Sequence, residues 1–402
     1  MSIRRRLSMT LFGGAALGVT GYIAAATVSG LAVEEITGSA ALAGLPGAVA
    51  IAGTAAGTTL LSQSVAARGR RPGLITGYLV AAAGAGIAVA AVVDDSLWLL
   101  LVGMLAMGVG HASNQLARYA GAEMFPADRR ASALSLIVWA GTIGSVLGPV
   151  LLEPGGVLTS SRGYSELAGG YLVTFAFMGV AALLYAFALR PDPATLAFDG
   201  PVLAGKPSFG DAFRRPHVRV ALTAMVAGQV VMVLIMTATP LHIRHHGFDL
   251  GIVGLVMSAH TLGMFAFSPL TGRLADRFGR YRVVMVGFGM LGVSAILAAA
   301  APADSTPVLL LALFLLGLGW NFGFVAGSAL LTVGFPAALR ARLQGRADSI
   351  TWLSSAVAGI TSGFLFEMTD YRLLALVGLG LVVVPLVIVF RHRTEAALAT
   401  AV

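Results

Sequence analysis

The sequence predicts an all-α integral membrane protein with twelve transmembrane helices in two halves of six. The chain of 402 residues is 57% hydrophobic and 11% charged, and its mean hydropathy is +0.88. A soluble globular protein has no interior large enough to bury that much apolar surface. Apolar runs of membrane-spanning length recur along the chain, and the two halves of the chain repeat one another.

Twelve apolar runs are each long enough to cross a bilayer as a helix. The first run follows three arginines and is too long for the core of a cleaved signal peptide, so we interpret it as a retained helix. The predicted spans cover about residues 7–33, 39–65, 74–93, 97–125, 131–152, 167–189, 218–240, 250–271, 283–301, 308–334, 346–366 and 372–390.

The interval between the sixth and seventh runs carries five prolines, mixed charges and no apolar run. Such a composition is typical of a linker. We therefore predict a first six-helix bundle at 1–190, a cytoplasmic linker at 191–217 and a second bundle at 218–402. A repeat supports two equivalent halves, because three sequence pairs recur 210 residues apart: Arg4-Arg5 and Arg214-Arg215, Gly69-Arg70 and Gly279-Arg280, Phe125-Pro126 and Phe335-Pro336.

The arginines predict the orientation of the chain in the membrane. With both termini in the cytoplasm, nearly all arginines fall in cytoplasmic loops, as the positive-inside rule requires. This placement explains the net charge of +8 without a nucleic-acid partner. Only one of 26 basic residues is lysine, a usage that fits a GC-rich bacterial genome. We expect a protein integral to the bacterial cytoplasmic (inner) membrane.

The segment from Gly272 to Arg282 packs five charges between two apolar runs. An ordinary basic cytoplasmic loop would explain its arginines, but not Asp276 or the two glycines. The spacing G-x-x-x-D-R-x-G-R resembles the signature loop of the major facilitator superfamily, the twelve-helix secondary transporters. The resemblance implies the fold of that family and transport by alternating access.

The resemblance also implies a set of gating residues. In the family, the loop aspartate caps a helix of the opposite half while cytoplasmic access is closed, and here Asp276 would do so near residues 129–131. The first-half loop carries Ala66 where the signature has aspartate. Glu123 and Arg130 resemble the charge relay of the family, although Glu123 could instead only neutralise surplus arginines. The predicted gating residues are Arg70, Glu123, Arg130, Gly272, Asp276, Arg277, Gly279 and Arg280.

Two further patterns bear on the direction of transport. Gly144, Gly148 and Pro149 form G-x-x-x-G-P, which resembles the opening of the motif found in family members that export by antiport. Small residues four apart also let helices pack closely, which is the structural alternative. Many exporters of the family carry an arginine early in the fourth helix, where this chain has Gly103. That departure puts the usual proton route in doubt.

The fourth predicted span carries a polar stripe. His111, Asn114, Gln115 and Arg118 recur at i, i+3, i+4 and i+7, so they share one helix face. Polar groups at that depth are costly unless they face the bundle interior or a wet cavity. We predict that the stripe lines the central pathway, with buried hydrogen bonds between helices as the alternative.

Other candidate substrate contacts lie at mid-helix depth. Methionines on the seventh and eighth spans would give a deformable wall that suits a varied apolar ligand, and aromatic and amide side chains could add stacking or a polar contact. The full predicted binding set is Tyr22, His111, Asn114, Gln115, Arg118, Trp139, Gln229, Met232, His260, Trp320 and Asn321.

Candidates for proton coupling are few. The predicted spans place no carboxylate near mid-membrane, with Glu123 and Asp348 close to the cytoplasmic ends. His111 and His260 are then the mid-membrane groups best able to titrate near neutrality. We predict that His111, His260 or Glu123 carries the proton.

The preferred function is export of a small lipophilic or amphipathic compound by proton antiport. A facilitator or uptake symporter for an aromatic metabolite is one alternative, and a transport-inactive membrane sensor or scaffold is another. Motifs for nucleotides, metals and nucleophilic catalysis are absent from the sequence. We therefore expect a monomer in membrane lipid that is not an enzyme and has no cofactor or metal.

Overall fold

The computed structural model describes residues 2–38, 42, 44–198, 209–246, 250–301, 305–331 and 333–391, and within them the secondary structure is helical, without strands. The α-helices are α1 (Ile3–Thr37), α2 (Leu45–Arg68), α3 (Arg70–Val93), α4 (Leu97–Glu123), α5 (Arg130–Val150), α6 (Leu152–Ser160), α7 (Leu167–Ala188), α8 (Phe209–Arg214), α9 (Pro216–His245), α10 (Leu250–Phe265), α11 (Ser268–Phe278), α12 (Arg280–Ala300), α13 (Thr306–Leu330), α14 (Ala337–Met368) and α15 (Tyr371–Arg391).

In the described part of the chain, ten helical segments are long and apolar enough to cross a membrane. They match ten of the predicted spans. The predicted eighth span corresponds to α10, which is shorter, and the twelfth corresponds to α15, with a shorter apolar stretch at Tyr371–Val387. The chain is an all-α integral membrane protein, and the full count of twelve spans stays a prediction.

Two glycines separate neighbouring helices at equivalent places in the repeat. Gly69 lies between α2 and α3 with φ of 97°, and Gly279 lies between α11 and α12 with φ of 89°. Side chains other than glycine rarely adopt these angles. The glycines of the signature loop and of its first-half counterpart therefore break the helix and reverse the chain.

Contacts divide the chain into two compact units. The first comprises Met1–Phe125, Ala140–Phe198 and Ala337–Trp352. In it, α3 packs against α4 and α7, and α2 packs against α4. Glycines make the contact between α2 and α4 close, because a Cβ at Gly53 would lie 2.1 Å from the Leu105 oxygen and a Cβ at Gly108 would lie 2.2 Å from the Ala50 oxygen.

The second unit comprises Pro126–Trp139, Asp199–Pro336 and Leu353–Val402. Within it, α13 packs against α10 and α12. Its glycine seam repeats that of the first unit at an offset of 209 or 210 residues. A Cβ at Gly263 would lie 2.3 Å from the Phe314 oxygen, and a Cβ at Gly317 would lie 2.2 Å from the His260 oxygen. The repeat seen in the sequence is thus also a repeat of helix packing.

The units do not follow the chain order of the predicted bundles. Residues 337–352 of α14 group with the first unit, and residues 126–139 group with the second. The predicted boundaries at 190 and 218 describe the order of the chain and stay a prediction.

Candidate functional site

Polar side chains of α4 and α14 meet inside the first unit in three successive layers. We call them the aromatic layer (Tyr22, His111, Gln115 and Trp352), the ion-pair layer (Arg118, Tyr119 and Asp348) and the basic cluster (Arg70, Glu123, Arg340 and Gln344). Gln344, Asp348 and Trp352 recur every fourth residue and so share one face of α14. The layers place the α4 stripe opposite a stripe that sequence reasoning did not identify.

The aromatic layer surrounds the imidazole of His111. The ring of Tyr22 stacks on it, with centroids 4.2 Å apart, and the ring of Trp352 meets its edge at 5.0 Å. The amide Nε2 of Gln115 lies 2.9 Å from His111 Nε2. All four side chains are only half-buried. Each of these four side chains therefore keeps part of its surface exposed.

The ion-pair layer is fully buried. Arg118 Nη2 donates to Asp348 Oδ1 at 2.6 Å, and the Tyr119 hydroxyl donates to the same oxygen at 3.2 Å. Arg118 and Asp348 are each 1% exposed. Arg118 also donates to Gln115 Oε1, which links this layer to the aromatic layer.

Asp348 lies inside a helix rather than at its start. The predicted span begins at 346, which places this residue close to the cytoplasmic end. In the structure α14 begins at Ala337, so Asp348 is its twelfth residue, about 16 Å along the axis from the first. Asp348 thus lies in a continuous helix and is buried against α4. Its depth in the membrane stays a prediction.

The basic cluster holds one carboxylate between two guanidinium groups. Arg70 donates to both oxygens of Glu123, at 3.0 and 2.5 Å, and to Gln344 Oε1 at 2.7 Å. Arg340 Nε lies 3.6 Å from Glu123 Oε1. All four side chains are buried. Arg130 is also buried, at the start of α5, and its predicted part in a charge relay stays a prediction.

In the second unit, Asp276 lies at the amino terminus of α5. Its carboxylate accepts hydrogen bonds from the backbone N–H of Ala131 at 3.1 Å and of Ser132 at 2.8 Å. Arg280 does not continue the helix of Asp276, because α11 ends before Gly279, and it donates instead to the Ala127 oxygen. Arg277 is exposed, with its guanidinium 5.4 Å from the ring centroid of Phe278.

The first-half loop has a different capping arrangement. This loop has Ala66 in place of an aspartate, and α14, which begins at Ala337 after the N-cap residue Pro336, has no side-chain cap. The amino terminus of α3 is capped instead by Asp192, which accepts from the N–H of Arg70 at 3.1 Å and of Arg71 at 2.9 Å. The two loops that match in sequence therefore engage different helices.

Four of the substrate contacts predicted in the second half make hydrogen bonds within the second unit. Trp320 Nε1 donates to Gln229 Oε1 at 2.7 Å, and Gln229 donates to Ser355. Asn321 donates to Ser268 Oγ at 2.6 Å, and His260 Nδ1 lies 3.0 Å from the Leu313 oxygen. These bonds favour helix packing over ligand contact.

The remaining predicted positions are spread over both units. Met232 is buried and Trp139 is 37% exposed. Asn114 turns away from the rest of its stripe and accepts a bond of 2.5 Å from the Tyr78 hydroxyl. The structure therefore brings together Tyr22, His111, Gln115 and Arg118, but leaves Asn114 within the seam of α3 and α4.

The motif positions of the exporter-like patterns are packing contacts in the first unit. A Cβ at Gly144 would lie 2.5 Å from a methyl group of Val19, and a Cβ at Gly148 would lie 2.8 Å from Ile23, while Pro149 lies one residue before the end of α5. Gly103 faces α3, where a Cβ would lie 2.6 Å from the Gly84 oxygen. An arginine has no room there, so the exporter pattern does not fit this packing.

Sequence reasoning missed Tyr119, Arg340, Gln344, Asp348 and Trp352. The available signal was the spacing of four residues from Gln344 to Asp348 to Trp352, which we did not extend across the predicted start of the span. Their partners lie more than 200 residues away in sequence, so periodicity alone could not have paired them.

Comparisons with known proteins identify the family. The model described as Major Facilitator Superfamily matches residues 10–253 and 221–401. The chain is 37% identical to "Uncharacterized MFS-type transporter YddS" of Bacillus subtilis, over 96% of this chain and 89% of the relative. It is 29% identical to "Riboflavin transporter RfnT" of Brucella anthropi, over 95% of each chain.

Solved structures agree on the fold. The crystal structure of the human organic anion transporter MFSD10 (TETRAN) superimposes with a TM-score of 0.78 at 16% identity, covering 97% of this chain and all of that chain. At such low identity the likeness concerns the fold alone. Taken with the family model and the full-length relatives, it shows that the chain belongs to the major facilitator superfamily and is a membrane transporter rather than an enzyme.

Proposed function

We propose that the chain is a proton-coupled secondary transporter that moves a small lipophilic or amphipathic aromatic compound by alternating access. The observation that carries the proposal is the aromatic layer. The half-buried rings of Tyr22 and Trp352 flank His111, and Gln115 adds an amide beside them. Ring faces bind planar apolar groups by stacking, while the few polar atoms fix their orientation.

The direction and the substrate class have separate support. Export by proton antiport is favoured by the exporter-like motif at Gly144, Gly148 and Pro149, although these residues also pack closely against α1. An aromatic metabolite as the substrate is favoured by the likeness to a riboflavin transporter along nearly the whole chain, and uptake of such a compound is the alternative to export. The distribution of arginines supports a protein of the bacterial inner membrane with both termini in the cytoplasm.

We assign gating to contacts near the amino-terminal ends of α5 and α14. These are the Asp276 cap and the basic cluster of Arg70, Glu123, Arg340 and Gln344. Charge-assisted hydrogen bonds of this kind are strong yet reversible. We expect them to form and break once in each transport cycle.

The test is counterflow in proteoliposomes with a panel of three labelled aromatic compounds of different charge: riboflavin, ethidium and salicylate. We expect exchange of at least one of them, and a large loss of that exchange for Trp352→Ala with correctly folded protein. An imposed pH gradient in either sense then gives the direction. If no compound of the panel is exchanged, the sensor or scaffold becomes the better account.

Cysteines placed along α4 should map the accessible face. At positions 111 and 115, which are half-buried, we expect reaction with a hydrophilic thiol reagent. At positions 112 and 116, which are fully buried, we expect protection. The chain contains no native cysteine to interfere. Equal labelling of both pairs would contradict a pathway along this face.

Asp276→Asn should weaken the cap on α5 without unfolding the protein. Asp276 lies beyond the predicted eighth span, and burial raises the pKa of its carboxyl above the ordinary 3.8, against the hydrogen bonds of Ser132 and Ala131 and the nearby Arg280. Its contribution to stability is therefore present below pH 3.8 and is lost as pH rises through the raised pKa. The charge is not needed for folding at neutral pH.

We expect the substitution to cost the capped arrangement about 0.5 to 1.5 kcal/mol, because the amide can accept from only one of the two N–H groups that the carboxylate oxygens now accept from. Distances between spin labels on α5 and α11 should then show a larger uncapped population and slower exchange. Asp192→Asn, which alters the cap on α3, is the matched control. Unchanged distances for Asp276→Asn would contradict a gating role.

A further inference from the structure

We propose that Asp348 takes up and releases the coupling proton, and that an acceptor group of the substrate competes with it for Arg118. The proposal rests on the proposed function, proton-coupled transport at the aromatic layer, and names the coupling group there. This assignment differs from the sequence-based prediction, which gave the proton to His111, His260 or Glu123.

The first step of the argument is burial. Asp348 is 1% exposed and lies well inside α14. An ionised carboxylate that is buried in this way is costly unless a cation and hydrogen bonds compensate it. Its compensation comes from Arg118 and Tyr119 on α4, and among the described residues its Oδ2 atom has no hydrogen-bond partner. The charge of Asp348 therefore depends on where the Arg118 guanidinium points.

Among the groups around this carboxylate, Asp348 is the one in the ion-pair layer that we expect to exchange a proton. From α2, the neutral hydroxyls of Thr58 and Thr59 bond to the adjacent Ser349. One turn toward the start of α14, Gln344 accepts a hydrogen bond from Arg70 of the basic cluster. In that cluster Arg70 and Arg340 already contact Glu123. Arginine stays protonated in proteins, and the imidazole of His111 lies in the layer above.

The second step is the connection to the ligand site. Arg118 donates both to Asp348 and to Gln115, and Gln115 contacts His111 in the aromatic layer. A carbonyl or carboxylate oxygen of a bound substrate can accept from the same guanidinium. When Arg118 turns to the substrate, the Asp348 carboxylate loses its cation and binds one proton to become a neutral carboxylic acid. When the substrate leaves, Arg118 returns and the proton dissociates.

This linkage predicts whether substrate and proton move in the same direction. Because the substrate draws Arg118 away from Asp348, substrate and proton bind together rather than in exchange. The arrangement therefore favours symport of an acceptor-bearing aromatic compound, and disfavours a cation, which Arg118 would repel. Among the three panel compounds, riboflavin and salicylate should be moved and ethidium should not.

The experiment has one arm that needs no substrate. Infrared difference spectra recorded over a pH titration should contain a carboxylic-acid C=O band that Asp348→Asn removes and that the exposed-site control Glu166→Gln retains. The double variant Arg118→Gln with Asp348→Asn avoids a lone buried cation and should lack the band as well. A titration that Asp348→Asn leaves unchanged would overturn the proposal.

The second arm measures coupling. For riboflavin or salicylate, the ratio of gradient-driven accumulation to counterflow, measured on equal amounts of folded protein, should fall tenfold or more in Asp348→Asn, and in the wild type the compound should move in the direction of the proton. Intact gradient-driven accumulation in Asp348→Asn, or its loss only in His260→Gln or Glu123→Gln, would overturn the proposal. If the wild type exchanges none of the panel, the proposed function fails, while the infrared arm still decides whether Asp348 titrates.

Discussion

Gly345→Ser should strongly disfavour the packing of α14 against α2. A Cβ at Gly345 would lie 2.0 Å from Ser62 Oγ and 2.5 Å from the Thr58 oxygen, far inside ordinary contact. Overpacking of this kind costs about 1 to 3 kcal/mol, which corresponds to roughly a fivefold to 160-fold shift in population. Distance measurements between labels at the exposed positions 68 and 342 should report the separation.

The internal repeat provides a control variant. Ser62 and Gly272 lie 210 residues apart in the repeat, as do Ser135 and Gly345, and in the second unit Gly272 packs against Ser135. Each contact thus pairs one glycine with one serine, in opposite order. The double variant Ser62→Gly with Gly345→Ser copies the order of the other contact and should recover most of the loss. If the double variant is as impaired as Gly345→Ser alone, steric crowding at this contact is not the cause.

Glu123→Ala should destabilise the first unit by about 3 to 5 kcal/mol, the usual cost of removing one partner of a buried ion pair. Arg70 would lose both of its carboxylate bonds, and Arg340 would lose a contact at 3.6 Å. Thermal unfolding in detergent, followed by intrinsic fluorescence, should show a clear fall in midpoint. The double variant Arg70→Gln with Glu123→Gln removes a matched pair of charges and should recover part of the loss, so an equally unstable double variant would contradict this reading.

Features whose residues lie close together in sequence could be predicted from it. The signature loop could be predicted because Gly272, Asp276 and Gly279 lie within eight residues, and their spacing alone identifies the turn. The stripe of α4 could be predicted from its helical period. The contact of Asn114 with Tyr78 could not be predicted, because neighbouring positions on a broad polar face differ only in what packs against them.

Asp348 was missed for a different physical reason. Hydropathy marks where apolar residues begin, and the arginines at 340, 342 and 346 delay that point by about two turns, although the helix itself starts at Ala337. Backbone hydrogen bonds continue a helix whether or not its side chains are apolar. A hydropathy window therefore does not show that Gln344 and Asp348 lie on the same helix face as Trp352.

Gly103 and Gly84 constrain how this protein could change over evolutionary time. A Cβ at Gly103 would lie 2.6 Å from the Gly84 oxygen, and a Cβ at Gly84 would lie 2.7 Å from the Gly103 oxygen. A single substitution to arginine at 103 would force α3 and α4 apart before the new side chain could serve any purpose. A lineage could therefore acquire an arginine at 103 only after α3 had first been repacked, because a change at 103 alone would give a poorly folded protein.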